Sequence, residues 1–312
     1  MSLIEQAAQR LEQLRQAGVD VPVVSAPVEK SFDVQSTAAK PSAHPPQAAP
    51  REPGEPLVVH SPEMSISRRV DVDLHALAKS GFIRPDAPRS QLADEYRVIK
   101  RPLIDNAMGK SATRIKDANL IMITSALPGE GKTFTAANLA MSIAMELDHT
   151  VMLVDADVAR PSLLKKLGLP SARGLLDVLV DDSIDLSQVL LRTNVEKLTI
   201  LPSGTQHVRA TELLASEAMV RLLEEMATRY ADRIIIFDSP PLLVTTEART
   251  LASHMGQVVL VVKAEGTTMS DVKHALATIE ACPIKLMLLN QAAVSRQDAY
   301  GYGYGYGYGN AN

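Results

Sequence analysis

Cysteine and aromatic residues are scarce in this sequence. Of its 312 residues one is a cysteine, Cys282, none is a tryptophan, and aromatic residues make up 4%. A single cysteine excludes a disulfide framework and a multi-cysteine zinc site, and it fits a reducing cytoplasm. With so few aromatic rings, we expect aliphatic side chains and methionine to fill the core.

Long hydrophobic runs are also absent. The most apolar stretch, residues 258–262, is far shorter than the roughly 18 to 20 residues of a membrane-spanning helix. Residues 1–18 contain no apolar segment of the kind found in secretory signals. We therefore expect a cytoplasmic protein that meets a membrane only through a partner or a surface contact.

Neither sign of charge dominates. The 32 Lys and Arg residues against 36 Asp and Glu residues give a net charge of −4, which argues against a general nucleic-acid binder, because such a protein needs a basic face. The 46% of hydrophobic and 22% of charged residues are typical of a globular protein.

The N-terminal third is predicted to be organised differently from the rest. Residues 1–18 have the apolar spacing of a short amphipathic helix. Residues 19–62 contain nine prolines and are predicted to be a disordered linker. Residues 63–117 are predicted to be a helical, oligomerising segment, with a helix over 90–100 that Pro102 ends.

Residues 118–294 alternate buried strands with amphipathic helices. The continuous apolar runs predict strands covered on both faces and hence a parallel sheet. We expect strands at 119–125, 150–156, 197–203, 233–239, 257–263 and 284–290. Helices are expected at 132–147, 212–230 and 270–280. This is the pattern of a doubly wound α/β domain, in which ligands bind at the C-terminal ends of the strands.

A glycine-rich segment, SALPGEGKT, follows the first of these strands and leads into a helix. It matches a phosphate-binding P-loop, although Ala126 stands where the first glycine is usual. We expect the backbone at Gly129 and Gly131 to curl around phosphate oxygens. Lys132 would reach the β- and γ-phosphates and the Thr133 hydroxyl would ligate Mg²⁺. The alternative is a glycine-rich turn without a ligand.

Carboxylates stand at the ends of two predicted strands. Asp155 and Asp157 follow the second strand, and Asp238 ends the fourth. Mg²⁺ prefers oxygen ligands, and a further carboxylate can accept a hydroxyl proton. We expect Asp155 to be the base, with Asp157, Asp238 and Thr133 around the metal ion. The alternatives are a surface turn for the Asp-x-Asp pair and a turn cap for Asp238.

Asn290 ends the last predicted strand, and two interpretations stay open for it, a contact with the nucleotide base or a simple turn. The predicted nucleotide-binding residues are Gly129, Glu130, Gly131, Lys132, Thr133, Phe134 and Asn290. The predicted catalytic residues are Lys132, Asp155 and Asp157.

Together these motifs resemble the bacterial tyrosine kinases (BY-kinases) of capsule and exopolysaccharide synthesis, over about residues 92–290. The resemblance lies in PGEGKT, VDADVARP, LPSG with TELL, FDSPPLL and a C-terminal tyrosine cluster. The proline-rich N-terminal region, DEYRVIKRP and the Gly-Tyr tail are similar, more narrowly, to the exosortase-associated autokinases. The resemblance implies a mainly parallel P-loop NTPase-type fold related to MinD and ParA, with ATP and Mg²⁺.

Carried over by position, Lys132 and Thr133 belong to the family's Walker A motif. Asp155 and Asp157 belong to its second Walker A-type motif, and Asp238 to its Walker B motif. The sequence departs from the family at three places, one of which is Glu247, where an Asp is usual after the proline pair. The usual Glu-x-x-Arg-x-x-Arg helix is Asp94-x-x-Arg97-x-x-Lys100 here, and the usual Arg-Arg-Pro is Ala159-Arg160-Pro161.

The tail holds five of the seven tyrosines. We expect residues 295–312 to be mobile and, when extended, to span about 60 Å, enough to reach a neighbouring subunit. The resemblance implies that they are substrates, phosphorylated in trans between neighbouring subunits; on their own they are typical of a low-complexity segment. The predicted autophosphorylation sites are Tyr300, Tyr302, Tyr304, Tyr306 and Tyr308.

The resemblance also implies partners and a place in the cell. These are an integral-membrane chain-length regulator (a Wzz-like activator) on a separate polypeptide, further copies of the chain in a homo-oligomer, and a tyrosine phosphatase, without nucleic acid. The protein would then be peripheral at the inner membrane and would regulate exopolysaccharide polymerisation or export.

Two other functions remain open. One is a MinD- or ParA-like ATPase switch, although Leu127 stands where those proteins carry a signature lysine. The other is an ATP-binding scaffold without catalysis, which would carry the same motifs.

Overall fold

An eight-stranded sheet runs through residues 67–86, 90–111 and 114–293, the part of the chain that this computed structural model describes. The predicted N-terminal helix, the proline-rich linker and the tyrosine tail lie outside these residues. Across the sheet the strands follow the order β1-β4-β5-β3-β6-β2-β7-β8. The strands are β1 (Arg68–Val70), β2 (Leu120–Ser125), β3 (Thr150–Asp155), β4 (Leu191–Thr193), β5 (Leu198–Leu201), β6 (Arg233–Asp238), β7 (Gln257–Lys263) and β8 (Ile284–Asn290).

Every neighbouring pair of strands is parallel except β4 and β5. The carboxyl ends of β3, β6, β2, β7 and β8 therefore meet at one edge. The helices are α1 (Leu74–Lys79), α2 (Gln91–Ala107), α3 (Lys132–Ala144), α4 (Leu163–Lys166), α5 (Leu175–Val180), α6 (Leu186–Val189), α7 (Ala210–Leu214), α8 (Glu217–Arg229), α9 (Thr246–Ser253) and α10 (Met269–Ala277).

Helices cover the sheet on both faces. One core packs α3, α1, α2 and α4 against inward-facing residues such as Ile123 and Leu153. The other packs α5 to α10 against residues such as Met122 and Phe237. Residues alternate between the two cores along each strand, as the strand geometry requires. Phe237 is the one aromatic residue among the largest fully buried side chains, so the expected aliphatic core is confirmed.

The six predicted strands are all present, within a few residues of their expected bounds. Two strands, β1 and β4, were not predicted, because each has three residues and no continuous apolar run. The prediction that every strand is covered on both faces is wrong for β8. It is an edge strand, and on one face Met287 and Leu289 are 64% and 65% exposed.

Two helix predictions are also wrong. Pro102 does not end its helix, since α2 continues for five more residues. The hydrogen bond that Pro102 cannot donate would have gone to the carbonyl of Val98, a residue that is 74% exposed, so water can satisfy that carbonyl. Leu103 and Ile104 are buried just beyond and hold the helix in place. The predicted helix over 212–230 is two helices, because Ser216 caps α8 by accepting from the Met219 amide at 3.3 Å.

The segment before residue 118 shares the sheet and the core of the residues that follow. β1 pairs with β4, and Asn194 exchanges two hydrogen bonds with the backbone of Val72, at 2.8 and 3.0 Å. Asn138 in α3 accepts from the Ile83 amide at 2.7 Å. Within the described ranges, no helix has both the length and the apolarity needed to cross a bilayer.

Candidate active site

The P-loop joins β2 to α3 at the edge where the strands end. Gly129 and Gly131 have φ of 83° and 97°, a left-handed conformation that favours glycine. A Cβ on Gly131 would also collide with the Asn290 amide group. Lys132 and Thr133 begin α3, so the positive end of the helix dipole and free amides point towards any bound phosphate.

Glu130 braces this loop from within. Its side chain is buried, and Oε2 accepts a hydrogen bond from the Leu127 amide at 2.7 Å. The other carboxylate oxygen accepts from the hydroxyl of Thr267, in the segment between β7 and α10. The side chain is thus occupied inside the protein, and only the main chain of Glu130 is left for the predicted nucleotide contact.

The end of β8 holds the outer side of the loop. Asn290 Nδ2 donates to the Glu130 carbonyl at 2.8 Å, and Gln291 Nε2 donates to the Gly129 carbonyl at 3.3 Å. Because these two carbonyl groups accept hydrogen bonds from side chains outside the loop, the amides of the loop remain free to face phosphate oxygens.

Asp155 and Asp238 lie side by side beneath the P-loop. They are register partners at the ends of β3 and β6 and are 1% and 0% exposed. One oxygen of Asp155 accepts from the Leu163 amide at 3.2 Å. The other oxygen of Asp155 and both oxygens of Asp238 are buried without a hydrogen-bond partner.

Burial makes these two carboxyls unusually weak acids. It raises the pKa of Asp155 to about 8, and the neighbouring Asp238 adds to that rise. Burial likewise raises the pKa of Asp238 to about 7, against the opposing effects of Thr133 and Lys132. The Thr133 hydroxyl is close enough to act on Asp238, but it hydrogen-bonds with Ser162 Oγ at 3.3 Å.

Asp157 lies at the wall of a cavity of about 570 Å³ next to the P-loop. Burial raises the pKa of this carboxyl, and the positive charges of Lys132 and Arg160 oppose the rise. The same cavity brings together most of the residues predicted from the sequence. Those that line it are Gly129, Gly131, Lys132, Thr133, Phe134, Asp157 and Asn290.

Four further polar residues of the cavity were not predicted as site residues: Arg160, Ser162, Lys166 and Gln291. Ser162 precedes a single helical turn that Lys166 ends, and Gln291 follows the last strand. Arg160 belongs to the VDADVARP motif, but the other three belong to no motif, so the sequence offered no signal for them. The predicted tyrosine sites lie outside the described residues.

The donor set fits a magnesium ion that is shared with a nucleotide. The described residues contain no cluster of three His, Cys, Asp or Glu side chains that could enclose a metal ion. Mg²⁺ is usually held by one or two carboxylates together with phosphate oxygens and water. The Thr133 hydroxyl and the partnerless oxygens of Asp238 supply such an incomplete shell.

Comparison with known proteins identifies relatives of this chain. Residues 118–291 match the family model described as "AAA domain". Over 216 residues the chain is 33% identical to "Tyrosine-protein kinase YwqD" of Bacillus subtilis, an alignment that covers 69% of this chain and 87% of the relative.

Two further comparisons point the same way. The chain is 31% identical over 211 residues to "Succinoglycan biosynthesis transport protein ExoP" of Rhizobium meliloti, covering 66% of this chain but only 26% of that longer relative. The crystal structure of the chimerical protein CapA2B2 superposes with a TM-score of 0.56 at 27% identity, over 71% of this chain and 93% of the other.

Proposed function

The chain belongs to the bacterial tyrosine-kinase family, and on that premise we propose that it is an ATP-dependent protein-tyrosine autokinase. It transfers the terminal phosphoryl group of ATP to tyrosines of its own C-terminal cluster. One observation carries the proposal: three partnerless carboxylate oxygens are buried directly beneath a P-loop. An inert turn has no use for this arrangement, because each such oxygen costs stability until a ligand satisfies it.

The residues divide the work as phosphoryl transfer requires, by positioning and charge neutralisation. The amides at Gly129 and Gly131 and the Lys132 ammonium hold the phosphates in line with the incoming hydroxyl. Thr133, Asp157 and Asp238 would hold Mg²⁺, which would neutralise negative charge on the phosphates.

Asp155 is the base in this proposal. The tyrosine oxygen bonds to the γ-phosphorus, the bond from that phosphorus to the β–γ bridging oxygen breaks, and ADP leaves with the bridging oxygen. The phenolic proton passes to Asp155. Its raised pKa suits this role, because a base works best when its pKa lies near the operating pH.

The substrates are Tyr300 and the four tyrosines that alternate with glycine after it. A family that includes a succinoglycan biosynthesis transport protein supports a role in exopolysaccharide polymerisation or export. The narrower assignment to the exosortase-associated branch rests on the tail and the proline-rich N-terminal region. A Wzz-like membrane activator, a tyrosine phosphatase and attachment to the inner membrane through the activator complete the proposal.

Self-association would use the exposed side of α2. Asp94 and Arg97 form a surface ion pair at 2.6 Å and are available to a neighbouring subunit. Lys100 is not, because it is buried and its Nζ lies 2.7 Å from Glu146 and 2.5 Å from the Ser142 carbonyl. In this chain, the last cation of the Asp94-x-x-Arg97-x-x-Lys100 segment serves the fold of its own subunit.

The test is the intact mass of the full chain after incubation with Mg²⁺ and ATP, with Lys132→Met as the inactive variant and Lys165→Met as its matched control. We expect phosphate increments confined to the tail peptide, absent in Lys132→Met and retained in Lys165→Met. If no phosphate appears even with the activator's cytoplasmic segment present, the kinase proposal fails. ATP hydrolysis without phosphotyrosine would then indicate the switch, and ATP binding alone the scaffold.

A further inference from the structure

We propose that Lys166 is a second phosphate-binding cation, which contacts the terminal phosphate of a nucleoside triphosphate in the cleft. The inference rests on the proposed function only in so far as the cleft binds such a nucleotide, and it needs no phosphoryl transfer. Sequence motifs assign the phosphate contacts to the P-loop and Lys132 alone.

The position of Lys166 is the first observation. Lys166 ends α4 and lines the same cavity as Lys132 and Asp157. It approaches from the segment that follows the paired aspartates, on a different element from the P-loop. A phosphate held between the two lysines would therefore be contacted from two sides.

The fold fixes this position at both ends of the short helix. The Leu163 amide donates to Asp155 Oδ2 at 3.2 Å, and Lys166 donates its own amide to the Ser162 carbonyl at 3.0 Å. Leu163 and Leu167 are buried in the core. Since residues four apart share a helix face, Ser162 and Lys166 turn to the cavity together.

Lys165 provides the contrast within the same turn. It carries the same charge and is exposed like Lys166, yet it does not line the cavity. The difference between these neighbours lies in direction alone, which makes Lys165 a built-in control.

The charge of Lys166 is uncommitted. Among the described residues it forms no salt bridge and no side-chain hydrogen bond. A cation that lines the cavity and has no partner of its own is placed to meet an anionic ligand there.

Lysine binds phosphate as a point charge, so Lys166 can contact a phosphate oxygen without a paired, bidentate geometry.

The test measures nucleotide affinity by calorimetry on the full chain with Mg²⁺, using the non-hydrolysable triphosphate AMP-PNP and, separately, ADP. For Lys166→Gln we expect about tenfold weaker binding of AMP-PNP, the size of one lost charge-assisted contact, and less than about a twofold change for ADP. Lys166→Arg should keep most of the affinity for the triphosphate. Lys165→Gln should bind both nucleotides as the unmodified chain does.

Three outcomes would overturn the inference: unchanged AMP-PNP binding in Lys166→Gln, an equal loss for both nucleotides, or the same loss in Lys165→Gln. A thermal melt of each variant identifies any that is misfolded, and Lys166→Met then decides in place of Lys166→Gln. Because only binding is measured, a chain without kinase activity would still test Lys166.

Discussion

The P-loop and the strand ends beneath it bury carboxylates in opposite ways. In the loop, both oxygens of Glu130 accept hydrogen bonds from protein groups, the Leu127 amide and the Thr267 hydroxyl. At the strand ends, Asp238 has no hydrogen-bond partner and Asp155 has one, the Leu163 amide. These three acids are all at least 98% buried, so burial alone does not distinguish them.

The difference separates a structural acid from a functional one. A buried acid whose hydrogen bonds are all made rigidifies its surroundings, whereas a buried acid without partners costs stability and raises its own pKa. The protein keeps the second kind only where a ligand later supplies what is missing. Substitutions at the two places should therefore have opposite effects on the ligand-free protein.

The largest effect is expected for Asp155→Asn. If Asp155 accepts the tyrosine proton, the rate of phosphotyrosine formation in a single turnover should fall about 1,000-fold, while nucleotide binding stays within a few-fold. Asp157→Asn is the matched comparison, since that residue lines the cavity and should chiefly raise the Mg²⁺ concentration needed. If the rate of phosphotyrosine formation falls less than tenfold in Asp155→Asn and falls further in Asp157→Asn, the base is Asp157 and not Asp155.

Glu130→Ala comes next and should destabilise the nucleotide-free protein by about 2 kcal/mol, because the Leu127 amide and the Thr267 hydroxyl lose their acceptor. Urea denaturation measures the free energy of unfolding of each protein. Glu130→Gln keeps one acceptor oxygen and should lose about half as much. Equal stability of all three proteins would contradict the bracing role.

Rising pH should lower the free energy of unfolding when metal and nucleotide are absent. Between about pH 4 and pH 8 the folded chain keeps protons on Asp155 and Asp238 that the unfolded chain has already released. Raising the pH therefore favours unfolding. We expect a loss of at least about 1 kcal/mol from pH 5 to pH 8, seen as a falling melting temperature.

The asparagine variant shows whether these carboxyls cause that loss. In Asp238→Asn the fall of melting temperature with pH should be smaller, and at pH 8 the variant should melt higher than the unmodified chain. A variant that keeps the full pH dependence would mean that other groups titrate.

The smallest effect is expected for Asn290→Ala, which removes the bond to the Glu130 carbonyl. One hydrogen bond of this kind contributes about 1 kcal/mol, so ATP binding should weaken about fivefold. Gln291→Ala removes the longer, more exposed bond to Gly129 and should have less effect. Unchanged affinity in Asn290→Ala would show that the loop keeps its shape without this contact.

The sequence predicted what is encoded locally. Six strands appear as continuous apolar runs, and the P-loop as a glycine-rich segment between a strand and a helix. What it did not predict depends on distant partners. One of the two contacts of Glu130 comes from Thr267, 137 residues later. Pro102 is tolerated because Val98 faces water and because Leu103 and Ile104 are buried in the core.

The same limit applies to the site. The sequence predicted one site with Asp155 as the base and Asp157 and Asp238 around the metal ion, because ligands bind where the strands of such a sheet end. It did not indicate that Glu130 would be occupied inside the protein, or that Lys166 would line the cavity while Lys165 would not. These distinctions depend on the directions in which side chains leave their elements, which no spacing rule encodes here.

The contact of Asn290 and Gln291 with the P-loop also fixes one end of a tether, the segment from Gln291 to the tail tyrosines. Tyr300 is nine residues beyond Gln291, so it stays within about 30 Å of the loop that holds the phosphates. A tether this short gives the chain's own tyrosines an effective concentration on the order of millimolar at their own cleft. Transfer between subunits therefore dominates only where an assembly brings a neighbour's tyrosines equally near, and dilution should shift phosphorylation from neighbours to self.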